Sequence, residues 1–173
     1  MASVVFFRAA NVGGHQVFQP SQLARALVAF SVVSVGAAGT FVVRASVSPA
    51  RLRAQILRHL PFTPEMMIHP ASAISELLAA PPFPAAPRGK DVKLFVTVLA
   101  CPPKPAPKLP LVFPETGPWE IHFFRLIGPF LLSVRRPGNR NLYPNAVAEK
   151  LLGIPASTRN WNTIETIGRQ LAR

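Results

Sequence analysis

Ser157-Thr158-Arg159-Asn160-Trp161-Asn162-Thr163 gathers hydroxyl, amide, guanidinium and indole groups into one short run after the Gly153-Ile154-Pro155 break. Ile164 through Leu171 continues with apolar residues at helical spacing, so the run stands at a predicted helix start. Asn162 and Glu165 have capping-box spacing, and Thr158 or Asn160 would serve as the cap equally well. The first N–H groups of a helix lack internal acceptors and, with the helix dipole, favour an anion. Arg159 adds a planar charged fork suited to phosphate or carboxylate. Capping and burial of Trp161 with Ile164, Ile167 and Leu171 account for the same residue types without any ligand.

A second candidate follows the first apolar run. Arg8 and Asn11 precede Gly13-Gly14, which permit positive φ and close backbone approach to a ligand. The Rossmann glycine spacing and the Walker lysine are both absent, and a plain turn explains the glycines as well. A third group is basic: Arg51 and Arg58 on a predicted helix, and Arg135, Arg136 and Arg140 in a turn. Arginines on exposed surfaces contact nucleic-acid phosphates, and Phe123, Phe124 and Phe130 nearby alternate as core strands do. His15, His59, His69 and His122 are scattered without ligand spacing, so no metal is expected, and no cofactor motif is present. The carboxylates form no acid–base pair, Cys101 has no activating neighbour in sequence, and no residue set designates a reaction.

The elements that must position these groups are legible in part. Ser3 to Phe7 reads as a buried strand, and Pro20-Ser21 opens a helix with Leu23, Ala24, Leu27 and Phe30 inward. Val32–Val35 and Thr40–Val43 are strands about a Gly36–Gly39 turn, Ser48-Pro49 starts a helix burying Leu52, Ile56 and Leu60, and Glu65–Ile68 is a fourth strand. This order is βαββαβ, the ferredoxin-like pattern. A short helix follows at Ala73–Leu78. Residues 81–90 then read as a stiff Pro-rich linker. The second half, 91–173, has a strand at Val92–Leu99, a proline-spaced loop at Pro102–Pro110 and a hairpin about Ile127-Gly128-Pro129. A helix at Pro144–Leu152 and the C-terminal helix complete it. The predicted fold is α+β, with ferredoxin-like halves at 1–80 and 91–173, the second irregular.

Hydrophobic residues make up 49% of the 173, charged residues 15%, which excludes a disordered chain. Net charge is +12, from 19 Lys and Arg against 7 Asp and Glu, and no acid precedes Glu65. Such an excess suits nucleic acid, an anionic membrane surface or anionic metabolites, and an arginine-rich coding bias produces it too. Cys101 is the single cysteine, which excludes an internal disulfide. Ala26–Val43 is uncharged, but its serines, glycines and changing periodicity suit a helix end and two strands better than a membrane span. Neither a secretory leader nor stable membrane insertion is expected.

Two motifs carry a family resemblance. Phe6-Phe7-Arg8-Ala9-Ala10-Asn11-Val12-Gly13-Gly14 resembles the opening Leu-Leu-Arg-Gly-Ile-Asn-Val-Gly-Gly of the bacterial family of unknown function DUF1697. Ser157 to Thr163 resembles that family's closing Thr-Thr-Arg-Asn-Trp-Asn-Thr, and Ala38-Gly39-Thr40-Phe41-Val42 sits where it has Ser-Gly-Asn and an apolar strand. The resemblance implies two ferredoxin-like halves in a cytoplasmic protein, and no established activity. Ala9 replaces the family's glycine, Thr40 its asparagine, and Asn141-Leu142 its Ser-Lys. The expectation is a cleft between the halves that binds a phosphate-bearing ligand. Arg8 and Arg159 would clamp charge there, Gly13 and Gly14 admit the ligand, and Asn11, Thr40, Asn160 and Trp161 complete the site. A nucleic-acid module using Arg51, Arg58, Arg135, Arg136 and Arg140, or an interaction protein without a ligand, are the alternatives.

Overall fold

The structure is a computed structural model and describes residues 1–11, 13–14, 16–80 and 87–173. Val12 and His15 of the first loop, and 81–86 of the expected linker, lie outside the described residues. By its contacts the chain divides into two compact units, Met1–Glu76 with Glu165–Arg173, and Leu77–Ile164. Two antiparallel sheets and five α-helices make an α+β protein among the described residues.

In the first unit, β1 (Ser3–Phe7) pairs antiparallel with β3 (Thr40–Val43) on one side and β4 (Met66–Pro70) on the other. β2 (Val32–Ser34) extends the edge, giving the order β2-β3-β1-β4. All five residues of β1 are buried, which is why Val4 to Phe7 form a continuous apolar run and not an alternation, with Ser3 the one polar residue. Helices α1 (Pro20–Ala26) and α2 (Pro49–Arg58) cover one face, where Leu23, Leu27, Leu52 and Ile56 pack with Phe7, Phe41 and Met66. Each such side chain contributes about 1.5–3 kcal/mol on burial. Pro49 fits the first turn of α2, and Ser48 Oγ caps it by accepting from Arg51 N at 3.3 Å. Gly39 has φ +67°, and a Cβ there would stand 2.7 Å from Phe7 Cβ, so the turn before β3 requires glycine.

The apolar run Ala26–Val43 contains the end of α1, a 3-10 turn at Val28–Phe30, β2 and β3. No helix among the described residues is long and apolar enough to cross a membrane. After β4 comes α3 (Ala71–Ala79), longer than the expected Ala73–Leu78.

In the second unit, β5 (Lys93–Leu99), β6 (Leu111–Phe113), β7 (Ile121–Ile127), β8 (Phe130–Arg135) and β9 (Ala156–Asn160) form a sheet in the order β6-β7-β8-β5-β9. Helix α4 (Pro144–Leu152) buries Ala148 against Leu99, Ile121, Phe123, Leu131 and Ala156. It ends at Gly153, whose φ of 65° gives the left-handed cap. The closing run differs from its sequence reading. Ser157, Thr158 and Arg159 belong to edge strand β9, and only Trp161 onward is helix α5 (Trp161–Leu171). Backbone pairing of Phe95–Leu99 with Ala156–Asn160 and the Thr97–Thr158 hydroxyl contact of 3.1 Å hold this stretch extended, and of the expected caps Asn160, at the end of β9, is the one that caps α5.

The unit boundary also differs from the expected one, because residues 165–173 belong with the first unit. Arg44 explains part of this: its Nε and Nη2 donate to the Gln170 carbonyl at 3.1 and 2.8 Å, and Nη2 reaches Gln170 Oε1 at 3.1 Å.

Candidate functional site

In the second unit, β8 delivers Arg135 and Arg136 into a turn that runs to α4, and the β6–β7 loop delivers Trp119 and Glu120 beside it. Glu120 is 3% exposed. Its Oε1 accepts from Arg140 N at 2.7 Å and its Oε2 from Leu142 N at 2.9 Å. The Leu142 N–H is the main influence holding this carboxyl below its ordinary range; burial opposes it, and the Arg140 N–H and the Arg135 and Arg140 charges reinforce it. A Cβ on Gly138 would lie 2.2 Å from Glu120 Cγ, so the turn closes on the acid only with glycine there.

The two turn arginines are fixed by different partners. Arg135 Nε donates to the Leu142 carbonyl at 2.6 Å and Nη2 to Asn141 Oδ1 at 2.9 Å, with its guanidinium 4.9 Å from the Tyr143 ring centroid. Arg136 Nε donates to the Trp119 carbonyl at 2.6 Å, and its guanidinium lies 4.2 Å from the Trp119 ring centroid. A cation at that distance is attracted by the ring's electron-rich face. The Arg136 terminal nitrogens have no hydrogen-bond partner among the described residues. Arg136 lines a hollow of about 630 Å³ together with Trp119, Asp91, Thr116, Asn139 and Arg140. Beneath Trp119, His122 packs edge-on at 6.3 Å, and its buried Nε2 has no hydrogen-bond partner among the described residues. Burial lowers the His122 pKa.

The residues singled out in the sequence fall into the two units separately. In the first, Arg8 stands 3.6 Å from Glu65 Oε2, with the side chains 39% and 45% exposed. Asn11 closes its own loop and ties it to the β2–β3 turn: Nδ2 donates to the Phe18 and Ala37 carbonyls at 3.0 and 2.8 Å, and Oδ1 accepts from Phe18 N at 2.9 Å. Gly13 and Gly14 are exposed with φ of 59° and 77°. Ala9, in the family's glycine position, keeps a φ of 53°. Thr40 is buried in β3 opposite Phe6. Arg51 and Arg58 are exposed on α2.

In the second unit, Arg159 is 7% exposed on β9, one residue before the cap of α5. Its Nη1 donates to Ser157 Oγ at 2.6 Å and to the Thr158 carbonyl at 2.9 Å, and burial lowers its pKa to about 10. Asn160 is the cap of α5, accepting from Thr163 N and Oγ1, each at 2.8 Å. Trp161 is the half-buried first residue of that helix. Sequence reasoning found the basic turn and missed Trp119, Glu120 and Asn139. The one available signal was a lone Trp-Glu pair between prolines and a strand.

A solved structure, that of a conserved bacterial protein from Streptococcus pneumoniae, is similar in fold, with a TM-score of 0.60 and 16% identity. The likeness covers 98% of each chain, so it includes β9 and α5. No curated protein matches. The family model described as protein of unknown function (DUF1697) matches residues 1–123, which takes in the opening motif, Trp119 and Glu120, and stops before the closing one. This chain belongs to that family.

Proposed function

We propose that the protein binds a phosphate-bearing small ligand in the hollow beside the basic turn of its second unit. One observation carries the reading: the Arg136 guanidinium is held by the Trp119 carbonyl and ring, while its terminal nitrogens stay without a partner among the described residues. A donor fork fixed before the ligand arrives loses little freedom on binding. Arg140 is exposed on the same hollow and supplies a second cation. Two carboxylates stand against these cations: Glu120, already engaged by two backbone N–H groups, and Asp91, which lines the same hollow. A volume of about 630 Å³ suits a ligand of nucleotide or sugar-phosphate size.

Arg8 and Arg159 are weaker candidates for the charge clamp. Arg8 faces Glu65, the Asn11 amide is spent on the Phe18 backbone and the Ala37 carbonyl of the β2–β3 turn, and Arg159 is buried among its own strand's acceptors. We also read the units as ferredoxin-like. The order β2-β3-β1-β4 with two helices on one face supports this for the first. For the second, the support is the inner order β7-β8-β5-β9 with α4, the proline-rich segment and β6 standing where the first unit has α1.

Thermal melts with inorganic phosphate, nucleotides and sugar phosphates test the ligand. A binder at 100 times its Kd stabilises the folded state by about 2.7 kcal/mol. The expected result is a rise in melting temperature with one such class, abolished in the R136Q/R140Q variant. No shift with any class, or an equal shift in that variant, sinks the reading.

A further inference from the structure

The first unit carries a basic surface that the hollow does not use. Leu52 and Ile56 turn α2 into the core, so Arg51, Gln55 and Arg58 share its outward stripe. Leu23 and Leu27 join the same core, which places α1 on that side of the sheet, with Arg25 exposed. Seven positions apart on a helix, Arg51 and Arg58 are about 10 Å apart along the axis. No Asp or Glu occurs before Glu65, which faces Arg8. Arg25, Arg51 and Arg58 have no carboxylate partner among the described residues; Arg51 lies only over the Phe30 ring, at 5.8 Å.

Exposed cations in a row without acids repel one another and attract a polyanion. A bilayer would need several large apolar side chains beside them; Val28 is exposed three residues after Arg25, but the exposed positions of α2 between the arginines are Arg53 and Ala54. The phosphate backbone of a nucleic acid needs only spaced cations. We infer that Arg25, Arg51 and Arg58 form a docking face for nucleic-acid backbone, without base reading. This face is independent of the phosphate-ligand reading of the second unit.

The test is fluorescence anisotropy of a labelled 20-nucleotide RNA and a 20-base-pair DNA, titrated across NaCl concentrations. Wild type should bind at low salt. The R51Q/R58Q variant should bind more weakly, with the log–log salt slope reduced by about 1.4 for single strands or about 1.8 for duplex. R25Q alone should reduce it by about half as much, which keeps the test open should the double variant fold poorly. R136Q/R140Q should leave the slope unchanged. Absence of binding, an unchanged slope in both R51Q/R58Q and R25Q, or binding only to anionic phosphatidylserine vesicles overturns the inference. Loss of the phosphate-induced melting shift in R136Q/R140Q with nucleic-acid binding intact would separate the two sites.

Discussion

Glu120 shapes the basic turn from inside, because its two oxygens hold the N–H groups of Arg140 and Leu142 while Gly138 lies against its stem. Its folded pKa is depressed, so its stabilisation is present above the ordinary carboxylate value of about 4.3 and is lost as pH falls through the folded value. The E120Q variant should therefore have a lower urea midpoint than wild type at pH 6, with the gap narrowing toward pH 3. The effect of His122 is common to both proteins and cancels. Arg159 gives a second residue-scale prediction. Arg159→Met keeps most of the volume but removes the donor to Ser157 Oγ and the Thr158 carbonyl, at a cost of about 1–3 kcal/mol. Urea melts measure it, and an unchanged midpoint would mean that those bonds only offset the cost of burying the charge.

Elements differ in how openly the sequence announces them. β1 was legible because a strand covered on both faces reads as an apolar run, here Val4 to Phe7, and α2 because Ser48 and Pro49 mark its start. α4 was legible from Pro144 and Gly153. β9 was not, because its polar residues make their pairing through the backbone and through Thr97, a partner distant in sequence. The same limit hid half of the candidate site: the Arg135–Arg140 turn is local, but Trp119 and Glu120 reach it only through β7–β8 pairing. Two element-scale predictions follow from the turns and caps. Gly39→Ala should cost about 2–4 kcal/mol, since it meets positive φ and the Phe7 side chain at once. Asn160→Ala should cost about 1 kcal/mol and raise amide exchange at Thr163 first.

At the scale of the molecule, the first unit is built from two separated lengths of chain, and Arg44 grips the second of them at Gln170. Truncation after Ile164 should raise amide exchange in β1, β3 and β4 well above that of full-length protein. Equal protection in the truncated chain would mean that residues 165–173 add nothing to that sheet. The same division bears on how the protein is made. During translation the ribosome must produce the whole second unit between the two pieces of the first, which takes on the order of ten seconds. Through that interval the nascent first unit waits for its last helix, so it offers a chaperone a surface that the finished molecule has closed.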